Sequence, residues 1–179
     1  GDSDPKNVGP LTFNMGEYSL SIAHNGNLVN IERIRKQLQE DGALFQTSTD
    51  TEIIIHLLAR EKGKTLAEKL GKVLQKIEGA YSLILLSPYE IIAARDPHGI
   101  RPFCMGKLRN TIVFASETCA LDLLGAEYVR DVNPGEMIVA NDDGFYSQSF
   151  TEPEEPKHCI FEYIYFSRPD SQIFGKNVD

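Results

Sequence analysis

Cysteine is scarce, basic charge is in deficit and no apolar run is long, and each shortage removes a class of protein. Of 179 residues only Cys104, Cys119 and Cys159 are cysteines, an odd set without metal-ligand spacing. Such usage fits a reducing, cytoplasmic compartment and predicts no disulfide. Lys and Arg number 18 against 26 Asp and Glu, a formal net charge of −8 with no basic run. A nucleic-acid surface needs cations clustered on one face, so no nucleic-acid partner is expected. The longest apolar runs, Ile53-Ile54-Ile55 and Leu83-Ile84-Leu85-Leu86, fall far short of the roughly 20 residues that span a bilayer, and no membrane insertion is expected. His24, His56, His98 and His158 show no zinc-ligand pattern. The sequence also has no glycine-rich phosphate loop and no Gly-x-Ser-x-Gly elbow.

What is there suits a folded domain. With 41% hydrophobic and 25% charged residues the chain has the composition of one globular domain, with room for a piece of a second. It opens Gly1-Asp2-Ser3 without Met or a leader and closes Asn177-Val178-Asp179, which reads as a segment of a longer protein.

Residues 18–23 alternate apolar and polar as a strand does, and the strand should end in a tight turn at Asn25-Gly26. Ile31, Ile34 and Leu38 recur at helical spacing up to a stop near Asp41-Gly42. Thr49-Asp50-Thr51-Glu52 fits a capping box before a largely buried helix over 53–60, with Asp50 in its first turn, and Thr65 with Glu68 makes a second box before a helix over 65–77. Beyond Gly79 short β-rich runs follow, at 81–86, 91–94, 103–105, 111–115, 137–140 and 145–150, interrupted by a short helical pattern over 116–124. Helices and strands are thus segregated along the chain, which favours α+β over a doubly wound sheet. The polar segment 151–157, with Pro153, Glu154, Glu155 and Pro156, reads as an exposed, solvated connection between domains. After it, Phe161, Tyr163, Tyr165 and Phe166 form an aromatic run too short to make a core, which should pack on sequence outside this chain.

Three places could carry chemistry, and each has a plainer explanation. His24-Asn25-Gly26-Asn27 offers a side-chain amide and a glycine N–H after a strand, donors that suit an oxyanion in acyl transfer; an isolated Asn-Gly is more often just a turn. Asp50 at a helix start could face a cleft and bind an ammonium group, or merely complement the helix dipole. The segment Arg95-Asp96-Pro97-His98-Gly99-Ile100-Arg101-Pro102 brings two arginines and a glycine together as an anion site would, yet such punctuation usually makes a rigid connection.

The segments Ala23-His24-Asn25-Gly26-Asn27-Leu28, Thr47-Ser48-Thr49-Asp50-Thr51-Glu52, Gly79-Ala80-Tyr81-Ser82, Asp96-Pro97-His98-Gly99-Ile100-Arg101-Pro102, Ala115-Ser116-Glu117-Thr118-Cys119-Ala120 and Pro134-Gly135-Glu136-Met137 belong together. As a set they resemble the amidophosphoribosyltransferases. The resemblance continues through Cys159-Ile160-Phe161-Glu162-Tyr163-Ile164-Tyr165-Phe166-Ser167-Arg168-Pro169-Asp170-Ser171. The first two segments are shared more loosely with other class II glutamine amidotransferases. The Asp-Pro-x-Gly-x-Arg-Pro segment and the aromatic run are the particular ones.

The resemblance implies an N-terminal-nucleophile hydrolase fold, two antiparallel sheets stacked between helical layers. Residues 1–157 would be a glutamine amidotransferase type 2 domain lacking its first strands, and 158–179 the start of a phosphoribosyltransferase domain. Asn25 and the N–H of Gly26 would form the oxyanion hole, and Asp50 would bind the α-ammonium of glutamine. The family nucleophile is an N-terminal cysteine, where this chain has Gly1, and the arginine that grips the substrate carboxylate is expected upstream. This segment alone is therefore expected not to hydrolyse glutamine. No cofactor is implied for it; the full-length protein would use Mg²⁺, carry a [4Fe–4S] cluster in one subgroup with Cys159 at the position of a ligand, and form a homo-oligomer. For Cys159 the plain alternative is a buried apolar side chain. For the whole, the alternatives are another class II amidotransferase, such as a glucosamine-6-phosphate synthase, and a non-catalytic glutaminase-like module.

Overall fold

A computed structural model describes residues 8–152 and 154–178; Gly1 and Pro153, on which two of the readings above partly rest, lie outside the described residues. An antiparallel pair, β1 (Leu11–Met15) and β2 (Tyr18–Leu28), leads into three helices, α1 (Ile31–Glu40), α2 (Asp50–Arg60) and α3 (Leu66–Leu74). There follow β3 (Gly79–Leu86), β4 (Ile91–Arg95), β5 (Cys104–Leu108), β6 (Thr111–Ala115), α4 (Thr118–Leu124), β7 (Glu127–Asp131), β8 (Glu136–Asn141) and β9 (Gly144–Ser149). A π-helical turn, Glu162–Phe166, and a small hairpin, β10 (Gln172–Ile173) with β11 (Lys176–Asn177), complete the described chain.

The strands form a six-stranded sheet in the order β1-β2-β3-β4-β8-β9 and a three-stranded sheet in the order β6-β5-β7. All the pairings within them are antiparallel. Because successive strand side chains leave on opposite faces, the large sheet presents two apolar surfaces. Leu20, Ile22, Leu83, Leu85, Ile92, Ala94, Met137 and Val139 face the helices and pack with Ile34, Leu38, Ile53, Ile54, Leu58, Leu70 and Val73. On the other face Ala93 and Ile138 meet Phe103, Met105 and Val132, with Ile84, Ile112 and Phe114 at the margin. The small sheet in turn uses Cys104 to meet Leu121, in the middle of α4, and Ala126, just beyond it. Each fully buried Leu or Ile in these layers contributes about 1.5–3 kcal/mol. The result is helix, sheet, sheet, helix, the α+β layering expected.

Local chemistry explains most boundaries. α1 ends where anticipated, with Asp41 N–H on the Gln37 carbonyl, Ala43 N–H on that of Leu38 at 2.8 Å, and Gly42 left-handed at φ +84°. The second capping box half forms: Thr65 Oγ1 accepts Glu68 N–H at 3.0 Å, while Glu68 reaches back to Lys64 N–H instead of that of Thr65. The first does not form. α2 begins at Asp50, and Thr49 makes no side-chain cap. Buried Glu52 instead accepts from Gln46 N–H and Thr47 N–H at 2.8 and 2.7 Å, bracing the preceding loop.

The largest departure concerns Asn25-Gly26, which is not a turn. β2 runs through it, paired with β3 from Ser21 opposite Leu86 to Leu28 opposite Gly79. Tertiary pairing overrides the local turn preference. The connection after residue 151 is exposed, as expected, among its described residues, and it is also tied down: Glu154 N–H donates to the Pro97 carbonyl and Lys157 N–H to that of His98. In the aromatic run, Ile160, Phe161, Ile164, Tyr165 and Phe166 are all more than half exposed. Among the described residues no helix is long and apolar enough to cross a membrane.

Candidate functional site

The site is built on one strand edge. β1 pairs with β2 only as far as Ile22, so along residues 23–28 the outer edge of β2 has no neighbouring strand among the described residues. On the inner side Gly26 lies opposite Tyr81. Tyr81 sends its own N–H to Asp96 Oδ2 at 3.3 Å, and its carbonyl accepts Asp96 N–H at 2.9 Å, both away from β2. In an antiparallel ladder opposed residues either exchange both bonds or both turn away. Gly26 therefore directs its N–H off the free edge. Leu28, two residues on, points the same way and donates to Asp50 Oδ2 at 3.2 Å.

This geometry brings two of the anticipated groups together. The Gly26 N–H and the Asp50 carboxylate stand on the same edge, about 7 Å apart along the strand. Gly26 is required by close approach: a Cβ there would lie 2.0 Å from the Ala80 carbonyl oxygen and 2.8 Å from Tyr81 Cα. Asp50 is held at the first residue of α2, with Oδ1 3.4 Å from His24 Nδ1. Burial pushes its carboxyl up, but the hydrogen bond and charge of His24 and the Leu28 N–H together outweigh burial and leave it below the ordinary aspartate value. It is a fixed anion. Beneath it, His24 Nε2 and the Tyr81 hydroxyl are buried without a hydrogen-bond partner among the described residues; burial and nearby Asp96 push the Tyr81 phenol far up, so it stays protonated.

Asn25 leaves the strand on the opposite face. Its side chain is exposed, and Nδ2 donates to Ser116 Oγ, just beyond β6, at 3.1 Å. It lines a cavity of about 300 Å³ with Arg101, Pro102, Ser116, Glu117, Glu162 and Phe166, which Asp50 does not line. The far wall is an ion pair, Arg101 Nη1 to Glu162 Oε1 at 2.5 Å, with Glu162 buried and Arg101 over the Phe166 ring.

The segment 95–102 is a brace, the plainer of its two readings. Buried Arg95 donates to the carbonyls of Arg101, Val132 and Gly99 at 2.8, 2.6 and 2.9 Å. Asp96, fully buried, accepts the N–H groups of His98 at 3.0 Å and Ile100 at 3.1 Å. Arg95 is buried with three of its five N–H donors on main chain; Arg101 is the arginine the loop presents.

Cys159 is partly exposed, so it is not the buried apolar side chain of the plainer reading. The other thiols are committed elsewhere, Cys104 to the Ala115 carbonyl and Cys119 beside Glu117. Among the described residues no group of three His, Cys, Asp or Glu could hold a metal. The described residues thus offer a cluster one cysteine, Cys159, not four. Sequence reasoning missed Ser116, the Arg101–Glu162 pair and the role of His24. Only the Ala-Ser-Glu-Thr segment flagged Ser116, and no local signal joins residues 91 positions apart.

The sequence matches the family model described as a glutamine amidotransferase domain over residues 3–123. It is 46% identical to amidophosphoribosyltransferase 2, chloroplastic, of Arabidopsis thaliana, covering 99% of this chain and 32% of that protein. It is likewise 46% identical to the amidophosphoribosyltransferase of Bacillus subtilis strain 168, over 97% of this chain and 37% of the relative. The chain spans about a third of the length of the curated relatives it matches. The solved glutamine phosphoribosylpyrophosphate amidotransferase from B. subtilis, complexed with ADP and GMP, superposes with a TM-score of 0.95 at 45% identity, covering 99% of this chain and 39% of that one. The layered sheets are accordingly those of the N-terminal-nucleophile hydrolase fold.

Proposed function

Starting from a chain that belongs to the glutamine amidotransferase domain family, we propose that it is the glutaminase portion of an amidophosphoribosyltransferase. That enzyme makes 5-phosphoribosylamine from glutamine and phosphoribosyl pyrophosphate in the first step of purine synthesis. Residues 1–157 are assigned to the glutaminase domain and 158–179 to the start of the phosphoribosyltransferase domain. The observation that carries the reading is the outer edge of β2, unpaired among the described residues, where a backbone donor at Gly26 and a fixed anion at Asp50 stand side by side.

Glutamine lies along that edge with its α-ammonium on Asp50, a charge-assisted contact that selects an α-amino acid. Its side-chain carbonyl reaches the N–H of Gly26 and the second amide hydrogen of Asn25. A cysteine thiolate, supplied from sequence upstream of residue 1, attacks the amide carbon. The oxygen takes up the negative charge and the two donors, already oriented, stabilise it. The C–N bond breaks, ammonia leaves with a proton from the nucleophile's own amine, and water hydrolyses the thioester to glutamate. Ammonia then serves the transferring half, where the Mg²⁺ and any cluster completed around Cys159 belong. Three free cysteines support a cytoplasmic setting, and the full-length protein is read as a homo-oligomer.

The test is steady-state glutamine hydrolysis by the full-length protein. Asn25→Ala should lower kcat by roughly 10²–10³, the usual effect of removing one oxyanion donor, with the melting temperature unchanged. Normal turnover in that variant takes Asn25 out of the reaction.

A further inference from the structure

We propose that Ser116 is a positioning residue for the oxyanion donor, holding the Asn25 carboxamide through the Nδ2–H···Oγ bond of 3.1 Å. The inference rests on the glutaminase reading of Asn25. An exposed asparagine rotates broadly about its last torsion, and half of that rotation turns the carbonyl oxygen, a repulsive group, toward the developing oxyanion. The bond to Ser116 limits that rotation: in the orientation observed, one amide hydrogen is spent on Ser116 Oγ and the other keeps a set direction. Donors that need no reorganisation at the moment of reaction are the ones that accelerate it.

The acceptor is itself anchored. Ser116 directly follows Ala115, which pairs with Cys104 in the small sheet. The next residue, Glu117, accepts Arg168 N–H and Ser171 Oγ–H, both at 2.8 Å. Thr118 Oγ1 accepts Gln172 N–H at 2.8 Å. Three consecutive side chains therefore clasp two separate parts of the chain: Ser116 holds β2, and Glu117 and Thr118 hold the segment around residues 168–172. The Asn25–Ser116 bond joins two polar side chains on an exposed face, where its net contribution to stability is small. The fold does not depend on it. A catalytic donor does.

The experiment compares Ser116→Ala, Ser116→Thr and Asn25→Ala in the full-length protein, reading kcat and KM for glutamine, the pH profile and the melting temperature. Ser116→Ala should lower kcat about tenfold or more, since misplacement of a catalytic group by 1 Å can cost 10²-fold. KM should stay within about twofold, and the pH profile and melting temperature should not move, because a serine neither titrates here nor supports the core. Ser116→Thr, which keeps the acceptor, should recover most of kcat. Wild-type kcat in Ser116→Ala beside an impaired Asn25→Ala would overturn the role of Ser116 and leave the glutaminase reading standing. A fall in melting temperature, a KM that rises in step, or a threonine variant as poor as alanine would assign Ser116 to the scaffold instead. Full activity in Asn25→Ala would sink both.

Discussion

Replacing Gly26 with alanine tests the strand edge at its tightest point. The new methyl carbon would stand 2.0 Å from the Ala80 carbonyl oxygen, with two further backbone atoms at 2.8 Å. Backbone cannot swing aside as a side-chain tip can, so β2 and β3 must separate by at least about 1 Å to restore ordinary contact. Overpacking of this kind costs about 1–3 kcal/mol, which for a domain of this size lowers the melting temperature by about 2–4 °C per kcal/mol. The same displacement carries the Gly26 N–H away from the oxyanion, and a shift of 1 Å is worth up to about 10²-fold in rate. Gly26→Ala should therefore lose stability and kcat together, measured by thermal melting and by glutamate release from the full-length protein. Gly71→Ala is the control: its methyl meets only ordinary contacts at 3.7 Å inside α3, where alanine favours the helix by roughly 0.5–1 kcal/mol. If Gly26→Ala melts with the wild type and hydrolyses glutamine at its rate, β2 is not packed as described and its edge does not hold the donor.

Two further perturbations separate binding from scaffold. Asp50→Asn removes the charge meant for the α-ammonium, and losing a hydrogen bond to a charged group costs about 1.5–3 kcal/mol, so KM for glutamine should rise about 10- to 100-fold with kcat changed far less; an unchanged KM refutes the assignment. Because His24 and Leu28 hold the Asp50 carboxyl below its ordinary value, its charge is complete from neutral pH into mild acid. Its contribution to stability is present above the unfolded value of about 3.9 and disappears as pH falls through the lower folded one. Glutamine KM should accordingly show no rise on Asp50's account above about pH 5. Glu136, buried at the start of β8, takes both Arg130 guanidinium nitrogens at 2.8 and 2.6 Å, Asn133 N–H at 2.6 Å and the Ser147 hydroxyl. Burial pushes its carboxyl up, yet these donors bring it below the ordinary glutamate value. Glu136→Gln should destabilise the protein by about 1–3 kcal/mol, less than for a wholly buried pair because Arg130 is partly solvated. Wild-type protein should lose this same contribution as pH drops below about 4.3, a loss the variant should lack in urea titrations.

Much of the fold is legible in the residues, and the exceptions have physical causes. The apolar period of Ile31, Ile34 and Leu38 marks α1 with its stop at Gly42, and the strand at Thr111–Ala115 lies where its β-branched run indicates. β7 escapes because Glu-Tyr-Val-Arg-Asp pairs with β5 at the margin of the small sheet, largely exposed and without an apolar face. At Asn25-Gly26 the local preference for a turn loses to eight residues of pairing with β3. At Glu52, a carboxylate that suited a cap serves loop amides closer to hand. For the site the limits are sharper. Asn25, Gly26 and Asp50 stand out individually, but each has a plain structural use, and only the resemblance made them one constellation. What joins Asn25 to Ser116, or Arg101 to Glu162, is proximity created by stacking two sheets, and no pattern of spacing records it.

The main-chain bonds from Glu154 and Lys157 to the Pro97–His98 stretch bear on how anything beyond them is carried. A tether free along its length would let its cargo tumble, and the two would meet only as often as diffusion allowed. Here the chain is stitched down to the same rigid bend that presents Arg101. Whatever lies past residue 157 takes its heading from that bend.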